Sequence, residues 1–502
     1  MTTLRKPRMS ASLELQGGRA SSYSRLAAAD AGLALGTVSV ACGLAGLVDD
    51  GGDGLLLIGV GLAAMAIGLV ARRSLERRHR SSPSRLLTGL ALSWTVLVLL
   101  GTLIYLATGT IDRVDDALVE SAAGFSTTSL TTLDPSTLSI PMQLWRAATQ
   151  WIGGLLGIIV GVVTLPLILR GAMPGSQGAR HVAEQIAPTP LIGRRRIIGI
   201  YAAVTTLIAL GYAATGLGAT DSVAHAFSTA STGGFSTRAD SFAGLGTGPR
   251  TVAVLGMLVG GASYALIWWA IRGRTKTVWR STELRLYLGL IAAASVVVAL
   301  GSEASAGEAI FTTVSALSTT GFAVGEWTLL PDSVLMILLV LIGTGAMSGS
   351  AGGGLRLIRA WTLVGFASRE MRRQLDPHSV VVVKQAGEPI QERTLDRTTG
   401  YQIGHLGVCG AAATLLALAG QDLLPAIYTG ISVVSTHGPG IGPGAFGDLS
   451  DFSPVARVIL IPFMLAGRLT ILPLLLAVSY AFRIENAAVR RVRRSVQRLV
   501  RR

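Results

Sequence analysis

Apolar runs of about twenty residues recur along almost the whole chain, and a helix needs about that length to cross a hydrocarbon core of ~30 Å. A backbone in lipid must satisfy its own polar groups, so such a chain is restricted to a bundle of helices. The first two runs are residues 26–48 and 53–71, and further ones follow in pairs to about residue 482. Half of the 502 residues are hydrophobic, 62 are glycine and the mean hydropathy is +0.55, too apolar for a soluble protein of this size. The expectation is an all-α polytopic protein of the cell membrane.

The net charge of +15 does not point to nucleic acid, because the basic residues are confined to alternate linkers. Arg72, Arg73, Arg77, Arg78 and Arg80 share one; Arg170, Arg180, Arg194, Arg195 and Arg196 flank the next; Arg272, Arg274, Lys276 and Arg280, then Arg369, Arg372, Arg373 and Lys384, follow. The tail from Arg490 to Arg502 is basic as well. The intervening loops are acidic, with Asp49, Asp50 and Asp53, then Asp112, Asp115, Asp116 and Glu120, then Glu303, Glu308 and Glu326, and last Asp422, Asp448 and Asp451. Basic linkers face the cytoplasm, which predicts a multi-pass topology with both termini inside. The first run follows a basic, polar lead without a small-residue cleavage site, and reads as a retained span. Cys42 and Cys409 are isolated within apolar segments and read as packing residues.

Between the apolar pairs lie four related stretches. They are 124–130 (GFSTTSL), 227–235 (FSTASTGGF), 315–322 (SALSTTGF) and 432–440 (SVVSTHGPG). Aligned on Thr128, Thr232, Thr320 and His437, they place Ser129, Gly233, Gly321 and Gly438 in register. Small hydroxylated residues ending in glycine suit a loop whose carbonyls turn toward a dehydrated cation. A short helix feeding each loop would aim its negative C-terminal end at the ion.

The order along the chain is a cytoplasmic N-terminus (1–25), a transmembrane hairpin (26–72), and repeats at 87–170, 196–272 and 282–366. A cytoplasmic linker (367–398), a fourth repeat (399–482) and a basic tail (483–502) complete it. Within the first repeat, Arg146 and Gln150 fall at membrane depth, where polar groups face a cavity or a neighbouring loop. In the third, residues 343–354 hold six glycines in twelve, and at about 1 kcal/mol each relative to Ala they preclude a regular helix. Non-helical backbone at that depth lines a cavity or is buried in protein. Residues 380–390 read as two short strands around a turn, a plausible docking edge. Arg468 is a cation inside the last apolar span, and the tail is an anchor for anionic lipid.

On the four loops, the QWIGG of 150–154, the SGSAGGG of 348–354 with Arg356 and Arg359, and the AGRL of 466–469, the chain resembles the Trk/Ktr/HKT superfamily of potassium transporters, most closely the bacterial Trk-type pore subunit. The resemblance spans nearly the whole chain, and the N-terminal hairpin favours the Trk branch. It implies four helix, pore-loop and helix repeats in pseudo-fourfold arrangement around one pore. It also implies a homodimer with two separate pores, and a cytoplasmic nucleotide-binding regulatory subunit. Carried over, the ion-binding filter is Thr128, Ser129, Thr232, Gly233, Thr320, Gly321, His437 and Gly438, with potassium as substrate and no covalently bound cofactor. The gate beneath it is formed by Gly345, Ser348, Gly349, Ser350, Gly352, Gly353 and Gly354, and Arg468 is a positive residue near the pore. Ser129 stands where typical Trk and Ktr proteins have glycine, and Thr470 where relatives often carry an acid.

Potassium uptake through a gated single-chain filter is therefore the leading expectation, with sodium or mixed sodium and potassium transport on the same scaffold as the alternative raised by Ser129. An enzyme or organic-solute carrier has no support in motif: no HExxH pair, Ser/His/Asp set or nucleotide loop is present. His79, His181 and His378 lie in polar linkers, and His225 and His437 are expected to be structural.

Overall fold

The computed structural model describes residues 20–46, 52–75, 83–164, 190–376, 378, 381–385, 388–390, 392–440 and 447–469. The expectations for Arg170, Arg180, His79, His181, Thr470 and the basic tail lie outside them. Among the described residues the architecture is helical, apart from a two-residue antiparallel ladder of Lys384–Gln385 with Glu388–Pro389, Lys384 facing Pro389, and a single bridge between Thr131 and Asp448. That ladder falls where the sequence pointed to strands.

The N-terminal pair, Ala20–Ala45 and Asp53–Leu75, packs backbone to backbone. A Cβ on Gly36 or Gly43 would lie 2.5 Å from the carbonyl of Gly61 or Gly54; small residues are what let membrane helices approach this closely. The Ser39 hydroxyl donates to the Leu57 carbonyl across the same contact at 2.7 Å.

From there one element order is used four times: a long outer helix, a short helix, a loop and an inner helix. The outer helices are Pro83–Ala107, Pro190–Ala214, Thr282–Gly301 and Glu392–Leu418, and the short ones Val114–Ser126, Ala219–Ala230, Ala306–Ser318 and Leu423–Val434. Among the described residues, five helices are long and apolar enough to cross a membrane: one from the N-terminal pair and the four outer helices. Carboxylates in the first turn of three short helices, Asp115 and Asp116, Asp221, and Glu308, complement their positive ends. Ser305 and Glu308 close the third with a reciprocal capping box.

The inner helices are interrupted. In the first repeat, Ile140–Ile159 runs into a π-helical turn at Val160–Thr164. In the second, Thr247–Gly260 and Tyr264–Ile271 meet at 102°, a break that hydropathy had not announced. In the third, Asp332–Thr344 stops at Gly345 (φ 72°), and Leu357–Leu375 resumes after Arg356 (φ 76°), so the glycine-rich stretch is non-helical as expected. In the fourth, Pro454–Leu469 carries Pro462 in its interior.

Two apolar cores hold the bundle. One joins the second and third repeats through residues such as Phe242, Phe311 and Phe322, the rings of Phe242 and Phe322 lying 4.6 Å apart. The other joins the N-terminal pair to the first and fourth repeats through Trp94, Phe125, Trp145 and Leu460. Cys42 and Cys409 are buried free thiols.

Candidate functional site

The four short helices end alike. Thr127, Thr232, Thr319 and Thr436 take φ values of 57°, 51°, 57° and 57°, a left-handed conformation uncommon for residues with a Cβ. After each, the next amide reaches back five residues: Thr128 to Ala123, Gly233 to Ser228, Thr320 to Ser315 and His437 to Ser432, at 2.8–2.9 Å. These bonds define the register between loops, and they correct the sequence alignment at one place. Thr232 is the counterpart of Thr127, Thr319 and Thr436, so Gly233 aligns with Thr128, Thr320 and His437. The residue in line with Ser129, Gly321 and Gly438 is Gly234. Gly234, Gly321 and Gly438 share positive φ of 81°, 87° and 104°, whereas a Cβ on Gly233 would run into the side chain of Gln150. With two successive glycines here, the sequence alignment had taken the first, Gly233, as the in-register glycine.

The loops converge on Ser129. Its hydroxyl donates to the His437 carbonyl at 2.8 Å and approaches the Gly321 carbonyl at 3.4 Å. A Cβ on Gly234 would lie 2.7 Å from Ser129 Cβ, and one on Gly438 2.5 Å from the Ser129 amide. Thr128, Ser129, Thr232, Gly233, Thr320, Gly321, His437 and Gly438 are thus gathered at one buried place, with Gly234 added. On one side the cluster opens into a cavity of about 330 Å³ lined by Ser129, Thr131, Asp134, Gly234, Arg238 and Asp448, among others. The Ser136 hydroxyl and amide hold the Asp134 carboxyl below the usual range, so this rim residue stays ionised near neutral pH.

Arg146 and Gln150 both reach the second loop. Gln150 donates to the Gly233 carbonyl at 2.8 Å and accepts from the Phe235 amide and the Ser228 hydroxyl. Arg146 donates to the Ser236 carbonyl at 2.9 Å, lies over the Phe235 ring, and pairs with Glu120 at 2.5 Å. Glu120 was grouped with the outer acidic residues in the sequence, but it is fully buried and also accepts from Thr131 and Thr132 beyond the first loop. Its position past the first turn of its helix, among small and apolar residues and away from Asp115 and Asp116, was the available signal.

The glycine-rich stretch lies against the ends of the short helices. A Cβ on Gly352 would meet the Ser318 carbonyl at 2.6 Å, and one on Gly353 the Ser435 carbonyl. The Gly353 amide donates to Thr319 Oγ1 at 2.7 Å. Met347 and Ala351 amides donate to Gly261 and Gly260 carbonyls, and the Tyr264 amide to the Gly349 carbonyl, at 3.0–3.1 Å. The break in the second inner helix therefore supplies the groups that seat this segment. The Ser348 amide donates to Glu283 at 2.7 Å, and Arg356 reaches the Ser350 hydroxyl at 3.0 Å.

Arg468, buried, bonds to carbonyls. It donates to Ala351 at 2.7 Å and to Gly153 and Gly154 at 2.9 Å, joining the glycine-rich segment to the first inner helix. His225 is held by the Asp221 carbonyl and the Ser236 hydroxyl. His437 contacts Ser432 at 3.3 Å and packs on Trp327.

A family profile described as TrkH, cation transport protein, matches residues 63–297 and 290–486. Among characterised relatives, the Trk system potassium uptake protein TrkH of Salmonella typhimurium is 29% identical over 88% of this chain and 94% of its own length. The Trk system potassium uptake protein TrkI of Halomonas elongata is 26% identical over 73% of this chain and 77% of its own. The crystal structure of the potassium transporter TrkH from Vibrio parahaemolyticus superposes with a TM-score of 0.79 at 25% identity, covering 90% of this chain and 97% of that one.

Proposed function

This chain belongs to the TrkH family of cation transport proteins, and we propose that it takes up potassium across the cell membrane through a pore enclosed by its four repeats in pseudo-fourfold arrangement. The observation that carries this reading is the fourfold recurrence of a left-handed threonine followed by a buried turn, with all four turns meeting at Ser129. Carbonyls at the C-terminal ends of four short helices favour a cation and can replace its water. The names of the relatives point to potassium as that cation. The filter is Thr128, Ser129, Thr232, Gly233, Gly234, Thr320, Gly321, His437 and Gly438. The segment from Gly345 to Gly354, set against Thr319 and Ser435, is its gate, and Arg468 holds that gate to the first repeat.

The membrane potential drives the ion inward at ~2.3 kcal/mol per charge per 100 mV. Both termini are cytoplasmic, two chains pair with a separate pore in each, and a nucleotide-binding subunit docks on the basic cytoplasmic face at the strand-like segment 380–390. A second reading, passage of sodium beside potassium, is favoured by one contact: the Ser129 hydroxyl engages a carbonyl of the fourth loop. Purified protein in proteoliposomes should pass potassium and rubidium well ahead of lithium, with sodium in between. Flux that ignores the cation, or no cation flux at all, would contradict the proposal.

A further inference from the structure

The second loop lacks two braces that other loops carry within themselves. In the first and third loops a serine hydroxyl meets the threonine two residues on, Ser126 with Thr128 at 2.8 Å and Ser318 with Thr320 at 2.7 Å. Ser231 occupies the matching place in the second loop, and its partner position is Gly233, which has no side chain. In the third and fourth loops, Ser315 and Ser432 donate directly to the carbonyls of Phe322 and Pro439, at 2.7 and 2.9 Å. The equivalent Ser228 instead donates to Gln150 Oε1 at 2.8 Å, and Gln150 takes up the Phe235 amide at 3.1 Å and the Gly233 carbonyl at 2.8 Å. One glutamine, from the inner helix of another repeat, fills the space of the missing side chain and stands between the serine and the backbone it would otherwise reach.

We propose that Gln150 is a selectivity-determining positioning residue that braces the second loop in trans and fixes the direction of the Gly233 carbonyl. This rests on the reading of the four loops as a cation filter. All three bonds are fully buried, so water does not compete for them, and the loop has no equivalent set of its own.

The test is the potassium-to-sodium permeability ratio of protein in planar bilayers, with thermal stability in detergent measured beside it. Gln150→Ala should lower the ratio about tenfold while the protein still conducts. Ser228→Ala, a smaller cut that spares the inner helix, should lower it less, and it keeps the test open if Gln150→Ala does not fold. The decisive variant is Gln150→Gly with Gly233→Thr. It removes the trans brace and its Cβ, and offers Ser231 the threonine that Ser126 and Ser318 already have. Its ratio should recover toward that of the parent and exceed that of Gln150→Gly alone. An unchanged ratio in folded Gln150→Ala or in Ser228→Ala, with a selective parent, overturns the brace and leaves the filter standing. A parent without cation selectivity overturns the filter reading itself, and the brace with it.

Discussion

In the proposed filter, one side chain, Ser129, sets a property of the whole. Its hydroxyl bonds to the His437 carbonyl at 2.8 Å, engaging an oxygen that would otherwise be free to replace potassium hydration. Its Cβ also occupies the space into which Gly234 would project one. In the proposed filter potassium would still find carbonyls from three glycine turns, while sodium, smaller and more strongly hydrated, would lose less by an imperfect cage. Ser129→Gly should therefore raise the potassium-to-sodium permeability ratio under bi-ionic conditions, by up to about tenfold if ~1.4 kcal/mol of differential binding is recovered. Equal ratios in the two proteins would mean that the first loop does not limit selectivity. Glu120 and Arg146 act at the same scale but on shape: each holds the backbone just past one loop. Breaking a buried pair by removing one partner costs about 3–5 kcal/mol, so these two belong to the stability of the site.

At the scale of an element, the glycine-rich segment is poised between two requirements. It fits against the ends of two short helices where a Cβ on Gly352 or Gly353 would collide, and as the proposed gate it has to be able to leave. What keeps it in place is a set of bonds to four other parts of the molecule: the helix break at Gly260 and Gly261, Thr319, Glu283 and Arg468. Each contributes on the order of 1 kcal/mol net, so in the proposed gate opening would cost several times the thermal energy and would need a ligand that prefers the open state. Deleting residues 347–351 removes most of these contacts. Potassium flux should rise several-fold with the order of ion preference unchanged, as read by rubidium and sodium uptake in liposomes. Unchanged or lower flux in a correctly folded deletion protein would count against a gate.

For the whole molecule, the connectivity shows which elements the proposed gate is joined to on its cytoplasmic side. The segment continues into Leu357–Leu375, whose Arg369 pairs with Glu370 and with Glu392 of the fourth outer helix, the latter at 2.7 Å. Gln402 of that outer helix also donates to the Arg359 carbonyl. In the proposed arrangement, these contacts link a subunit docked at the ladder of Lys384–Gln385 and Glu388–Pro389 to the proposed gate and to the fourth outer helix. The expected outcome is that purification from native membranes brings down a nucleotide-binding subunit. Nucleotide-dependent flux should then be lost in Arg369→Ala while basal flux persists. A channel fully active and indifferent to nucleotide in its own membrane would end this proposal.

Sequence alone marked the four outer helices and the second helix of the N-terminal pair as apolar spans, and with them the four hydroxyl-rich turns and the non-helical segment at 343–354, because hydropathy and backbone freedom are local properties of the residues that carry them. It also marked Arg146, Gln150 and Arg468 as out of place in apolar surroundings. Tertiary structure decided whom they serve. Arg468 bonds to carbonyls of two other repeats, Gln150 to the second loop, and Glu120 faces inward to Arg146. The register of Gly233 and Gly234 was settled in the same way, by hydrogen bonds back into the short helix and by Gln150 filling the space beside Gly233. A buried polar group must find a partner, but which partner depends on segments tens to hundreds of residues away being packed side by side, and no local pattern encodes that.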